Sequence, residues 1–442
     1  MCAALRGVSL CVALSRTSQP TPFMSPHLLH QRRAVAVFLV FAFAYFLSTL
    51  VRAITATLSP TLVDEFGLQA RELGLLAGGY FLGFAATQLP MGHWLDRYGP
   101  KRVLMCFLVV AVVGSAAFAL ATGFSGLLMA RILTGVGVSA CLMAPLTGYR
   151  RWMAPSFQLR ANSWMLMTGA LGMLSSTLPV QWLLPVLGWR PLFWVLAGLT
   201  VLAVLLIGWV VPGWHGTPAA APTTAAPEQA DTGWWSSYRV VWRHPYFKRM
   251  APLGVITYGG MLAMQTLWAG PWLVRVSGYT PLEAATGLFT LNAVMLVTFW
   301  AWGYFNPRLA AAGWSADRII TWGAPVNLVA LIWLIYRGPE AGPLTWALFC
   351  MTNSCVSLAQ PAVGMAFPPA QAGRALSGYN LVMFVGVFAA QWGIGLLIDG
   401  FARLDWSVVQ SFQGALAVYG VLSAIAYVHF VRSAGDNASV TP

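Results

Sequence analysis

Apolar runs of about twenty residues recur from Ala34 to Val431, and each is long enough to span a bilayer as a helix. Twelve such runs are legible, at residues 34–57, 73–95, 103–122, 126–148, 161–184, 189–211, 250–274, 283–305, 318–336, 342–366, 375–398 and 410–431. Of the 442 residues, 58% are hydrophobic and 8% are charged. A soluble domain carries roughly a quarter charged residues. No water-soluble fold could hide this much apolar surface, so lipid is the solvent for most of it. The expected fold class is an all-α membrane protein of twelve transmembrane helices.

The net charge of +13 does not point to nucleic acid, because the basic residues stand singly between the spans. Counting Lys and Arg orients the chain. The tails and loops on the side of the N-terminus hold 18, the opposite loops hold five, and Arg52 and Arg131 lie within spans. The positive-inside rule therefore predicts a multi-pass protein of a bacterial-type inner (plasma) membrane, with both termini cytoplasmic. The six cysteines form no metal-spaced cluster and are read as small apolar residues. Residues 1–30 carry a weak apolar run, VSLCVAL, then polar and Pro-rich sequence, with Met24 as an alternative start; a cleavable signal is not expected.

The longest polar interruption divides the spans six and six. Its first part, TPAAAPTTAAPEQADTG, has linker composition; its second, WWSSYRVVWRHPYFKR, is aromatic and basic, as expected of an interfacial segment in contact with lipid. The expected organisation is a cytoplasmic tail at 1–33, a six-helix bundle at 34–211, a cytoplasmic linker at 212–249, a second bundle at 250–431 and a tail at 432–442. The two bundles repeat each other. GHWLDRYGPKR from Gly92 is echoed by GYFNPRLAAAG from Gly303, with an Arg five residues after the Gly in both. RANSWMLMTGALG and RALSGYNLVMFVG share Arg-Ala-x-Ser and a Gly twelve residues after the Arg. The offsets are 211 and 214 residues, as two parallel six-helix halves with a site at their interface would give.

GHWLDRYGPKR resembles the loop 2–3 signature of the major facilitator superfamily, G-x-x-x-D-R-x-G-x-R/K-R/K. The resemblance implies two six-helix bundles that rock about a mid-membrane site, and it assigns a conformational motif to Gly92, Asp96, Arg97, Gly99, Lys101 and Arg102. Asp96 would latch the cytoplasmic side, whereas a merely topogenic basic loop would need only the cations. The second copy has Pro307 where the acid is expected, so no latch is expected there. LLMARILTGVGVSA is similar to the superfamily's R-x-x-x-G-x-G and yields Arg131, Gly135 and Gly137. A charge inside a span costs about 2.5–3.5 kcal/mol on insertion scales, so Arg131 either snorkels to the membrane edge or serves a cavity.

Arg52 is the most informative residue. Tyr45, Ser48, Arg52 and Thr55 recur at helical spacing and form one polar stripe on an apolar helix. Organic-anion members of the superfamily carry an Arg in the outer half of span 1, which this sequence resembles. A guanidinium fork grips carboxylates bidentately; the alternative is an interfacial anchor. All twelve Asp and Glu lie at span ends or in loops, so the cavity should be net positive and favour an anion. Further candidate substrate contacts are Tyr258, Gln265, Asn292, Asn353, Tyr379 and Asn380, any of which could instead bond a neighbouring helix. No catalytic, metal or cofactor constellation is present in the sequence. The expected function is secondary active transport of a small organic anion, of the symporter kind and as a monomer, rather than catalysis. Efflux of drugs or metabolites and a non-transporting sensor on the same scaffold are the alternatives.

Overall fold

The computed structural model describes residues 28–214 and 234–437. Most of the expected N-terminal tail, the Pro/Ala/Thr-rich stretch and the last five residues lie outside these. Every regular element among the described residues is helical. Eight helices are long and apolar enough to cross a membrane, and a ninth crossing joins two helices bent by 44°. Three more spans are interrupted helices, which completes twelve. In chain order they are α1 (Gln31–Phe66), α2 (70–98), α3 (100–120), α4 (Phe124–Trp152), α5 (Pro155–Ser175 and Leu178–Leu187), α6 (Trp189–Val210), α7 (245–275), α8 (Pro281–Ala311), α9 (Ala316–Arg337), α10 (343–365), α11 (Pro369–Ala402) and α12 (Val408–Asn437). A short linker helix, Trp234–Arg243, precedes α7.

The interruptions have local causes, and the backbone groups they free are bonded elsewhere, as lipid requires. Pro90 follows the break of α2 at Thr87 and cannot donate to the preceding turn; at the break, Thr87 Oγ1 and Gln88 Nε2 both donate to the Phe84 carbonyl. In α5 the bend precedes Pro179, and Thr57 of α1 donates to the buried Ser176 carbonyl at 2.8 Å. α7 carries two wide turns, Leu253–Tyr258 and Met264–Trp268. Tyr379 and Tyr419 donate to its Met250 and Thr257 carbonyls at 3.2 and 3.3 Å. Such wide turns recur at functional sites.

α1–α6 and α7–α12 form two halves, and the internal repeat is visible in their packing. Gly172 of α5 lies where a Cβ would come 2.4 Å from the Phe46 carbonyl of α1, and Gly386 of α11 where one would come 2.1 Å from the Val255 carbonyl of α7. These are the glycines of the two Arg-Ala-x-Ser repeats. The turns after α2 and α8 also match, each using a glycine of positive φ: Gly99 at 78° and Gly313 at 80°.

The halves meet along α2 and α11, which run antiparallel. Gly74 abuts the Gln391 carbonyl, Gly395 abuts Ala70, Gly78 abuts Phe388, and Phe81 stacks on Phe384. Gly270 of α7 abuts the Ala56 carbonyl of α1. These contacts concentrate toward the face remote from the chain termini. On the terminal face the linker helix bridges the halves, with Tyr238 donating to the Leu89 carbonyl at 3.2 Å while the helix packs on α11.

Candidate functional site

Arg52 lies in α1 at the boundary between the halves. Its guanidinium carbon is 5.5 Å from the centroid of Phe84 on α2 and 6.0 Å from that of Phe384 on α11. The two rings are 4.4 Å apart and tilted by 51°. One ring comes from each half, so the cation sits where both meet. Tyr80, Tyr45 and Tyr258 interact with it electrostatically, and Tyr258 comes from the second half. The Arg52 Nε is buried and has no hydrogen-bond partner among the described residues; the same holds for the Ser48 hydroxyl, one turn earlier. Tyr45, Ser48, Arg52 and Tyr258 of the sequence-derived set thus converge.

Arg131 is placed differently. It is 1% exposed, and its guanidinium donates to the Val51 carbonyl at 3.0 Å and to Thr55 Oγ1 at 2.5 Å. Both acceptors flank Arg52 on α1. The Arg131 guanidinium also lies 5.3 Å from the Tyr80 ring, whose hydroxyl donates to the Ser48 carbonyl at 3.2 Å. Tyr80 therefore separates two arginines. Gly83 and Gly135 make this arrangement fit: a Cβ on Gly135 would come 1.9 Å from the Tyr80 carbonyl, and one on Gly83 2.2 Å from the Ile132 carbonyl. The glycine-rich face after Arg131 is what lets α2 and α4 approach closely enough for Arg131 to reach α1.

The remaining candidates are distributed over the second half. Gln265 donates to Asn292 at 3.0 Å, joining α7 to α8, and Asn292 donates to the Leu288 carbonyl. Asn353 donates to Asn327 of α9 at 3.2 Å. Tyr379 bonds α7, and Asn380 accepts from Gln360 at 2.6 Å. These amides form helix-to-helix bonds in the present conformation and do not reach Arg52 directly. The loop motif is likewise split. Gly99 is buried under Trp214, and Lys101 Nζ donates to the Gly208 carbonyl of α6 at 2.6 Å, tying the start of α3 to the end of α6. Gly92, Asp96, Arg97 and Arg102 are exposed, with Arg97 5.5 Å from the Tyr98 ring.

Sequence reading missed Tyr80, Phe84 and Phe384. Aromatic residues are abundant in every span, so nothing in the local pattern distinguishes a ring beside a cation from core packing. No group of three or more His, Cys, Asp or Glu that could hold a metal occurs among the described residues.

The arrangement is a cation walled by aromatic rings at a two-domain interface, suited to an anion attached to an apolar or aromatic body. Residues 41–365 match the Major Facilitator Superfamily. The chain is 26% identical over 405 residues to a 4-hydroxybenzoate transporter of Pseudomonas aeruginosa, covering 83% of this chain and 85% of the relative. It is 26% identical over 239 residues to a 3-(3-hydroxy-phenyl)propionate transporter of Escherichia coli, covering 53% and 58%. Among solved structures, a bacterial homolog of the human lysosomal transporter Spinster, in an inward-facing and unoccupied conformation, aligns with a TM-score of 0.72 at 15% identity, covering 92% of this chain and 98% of that one.

Proposed function

The chain belongs to the Major Facilitator Superfamily, and on that premise we propose that it carries small aromatic carboxylates, with Arg52 as the carboxylate-binding residue. It is a secondary active transporter of a small organic anion, not an enzyme, and a multi-pass inner-membrane protein. The finer reading rests on one observation above all: a half-buried guanidinium with an unpartnered Nε, flanked by Phe84 and Phe384 from opposite halves. A carboxylate would supply the acceptor that the Arg52 Nε lacks, through the planar fork that Arg alone offers. A single aromatic ring attached to that carboxylate would extend along the phenylalanines, edge or face on, at the usual 4.5–7 Å between centroids. The Tyr45, Tyr80 and Tyr258 hydroxyls suit a polar substituent on the ring, and both relatives carry hydroxylated aromatic acids by name.

Arg131 is read as the residue that holds α1 in register for Arg52. Gln265, Asn292, Asn353, Tyr379 and Asn380 are read as groups that become available to substrate when the halves rock. The membrane orientation follows from the basic loops, with both termini cytoplasmic. Lipid contacts through the linker helix and function as a monomer complete the reading.

The test is a binding titration of purified protein with 4-hydroxybenzoate, benzoate and cyclohexanecarboxylate. Removing one partner of a desolvated hydrogen-bonded ion pair costs about 2 kcal/mol or more, so Arg52→Gln should weaken 4-hydroxybenzoate binding at least about 30-fold. Arg52→Lys should recover part of the loss, and cyclohexanecarboxylate should bind less tightly than benzoate. Unchanged affinity in Arg52→Gln, or selective binding of cations, would sink the reading.

A further inference from the structure

We infer that Asp399 is the clasp that holds the two halves together on the terminus-remote face, and that its release is a step of every transport cycle. Asp399 stands near the end of α11, in the second half. Its Oδ1 accepts the Ala70 N–H at 3.1 Å and its Oδ2 accepts the Arg71 N–H at 2.9 Å. Both donors belong to the first turn of α2, in the first half. The first N–H groups of a helix have no partner within it and lie at the positive end of its dipole, so a carboxylate there forms charge-assisted bonds.

α2 already has a local cap. Glu72 folds back to accept the Gln69 N–H at 2.9 Å. That box serves one donor and leaves the next two, which the opposite half supplies with an acceptor. The approach is set by the glycines on either side: a Cβ on Gly395 would come 2.4 Å from the Ala70 carbonyl, and one on Gly74 2.3 Å from the Gln391 carbonyl.

The clasp differs from the ion pairs. Among the described residues, Arg190–Glu65, Arg249–Asp317 and Arg337–Glu340 each join elements of one half. Asp399 instead places a charge across the moving interface, where α2 and α11 must separate if the halves are to open on this side. The close approaches of α2 and α11 at Gly74 and Gly395 lie on this face, so the engaged clasp belongs to the face that is closed here. This inference does not depend on which solute Arg52 binds.

The experiment uses full-length protein in lipid nanodiscs, with all six cysteines, Cys2, Cys11, Cys106, Cys141, Cys350 and Cys355, replaced by serine and spin labels at Thr122 and Leu404, exposed remote-face positions in opposite halves. Electron–electron double resonance reads the distance distribution between them. Losing two charge-assisted bonds should shift the closed-to-open ratio about tenfold in Asp399→Ala. Asp399→Asn, which keeps size and one acceptor, should shift it less, and Asp399→Glu should return part of the closed population. Solute uptake in vesicles should fall in parallel with the shift. A distance distribution in Asp399→Ala that matches the parent overturns the clasp, whether or not uptake falls. If Asp399→Ala does not fold, Asp399→Asn decides alone, and a parental distribution there has the same force. Unchanged 4-hydroxybenzoate affinity in Arg52→Gln with the Asp399 shift intact would count against the proposed function and leave the clasp standing.

Discussion

The two halves share a scaffold and differ in how they treat buried charge. In the first half, Arg52 and Arg131 lie within the membrane with no carboxylate bonded to either; Arg131 is held by a carbonyl and a hydroxyl. In the second half the buried cation, Arg249, is paired: Nη1 meets Asp317 at 2.5 Å, Tyr246 donates to the same carboxylate at 2.6 Å, and the Arg249 Nε donates to the Phe430 carbonyl at 2.9 Å. The rest of that half's interior polarity is neutral, carried by Gln265, Asn292, Asn327, Asn353 and Gln391. An ion pair at a helix end ties α7, α9 and α12 together. An unpaired cation at the interface between halves stabilises nothing by itself and creates a demand for an anion. Under the proposed function, the contrast separates a charge kept for structure from charges kept for function.

The largest expected effect concerns the scaffold the halves have in common. If Gly172 and Gly386 are equivalent, a methyl at either must push two helices apart against a backbone carbonyl. Gly172→Ala and Gly386→Ala should each cost about 3 kcal/mol, the upper end for overpacking, and both should lower the thermal unfolding midpoint in detergent to a similar extent. A large drop in one and none in the other would break the structural repeat.

A smaller effect separates the paired cation from the unpaired ones. Asp317→Asn strands Arg249 next to a neutral amide. A fully buried pair would lose 3–5 kcal/mol, and the part-exposed carboxylate reduces this to about 2 kcal/mol. Thermal unfolding should report the loss while anion affinity stays near parental, because the cluster is on α7, α9 and α12, away from Arg52. A variant of parental stability would remove the structural role assigned to this pair.

The smallest stability change is expected at Arg131. Replacing an unpaired buried cation by an isosteric apolar chain removes a desolvation cost along with two hydrogen bonds, so Arg131→Met should stay within about 1 kcal/mol of the parent or gain. Anion binding should nevertheless weaken about tenfold, since α1 loses the bonds on either side of Arg52. A marked loss of stability with unchanged affinity in Arg131→Met would make Arg131 a structural cation like Arg249 and dissolve the contrast between the halves.

Much of this molecule was legible in the chain. The twelve apolar runs set the number of spans, because no other solvent would accept them and each has the length of one bilayer. The polar interruption near the middle and the Arg-Ala-x-Ser repeats gave two equivalent halves, since repeated packing needs repeated small residues. The period of the polar stripe in span 1 put Tyr45, Ser48 and Arg52 on one face, because helical geometry is local. The interruptions in α2 and α5 lie beside Pro90 and Pro179, although the sequence reading ran both spans straight through them, and the wide turns of α7 had no sequence signal.

Tertiary structure alone decided which polar residues meet. Arg131 and Arg52 look alike as isolated charges in apolar spans, yet Arg131 donates to α1 on both sides of Arg52, whereas Arg52 lies beside Phe84 and Phe384 from opposite halves. Phe84 and Phe384 are 300 residues apart and pair only because the halves close along α2 and α11. Asp399 reads in the sequence as one more acid at a span end, and its role depends on the first turn of α2, 328 residues away. Periodicity fixes the face a side chain occupies within its own helix. What that face meets depends on contacts between distant segments, which no local pattern encodes.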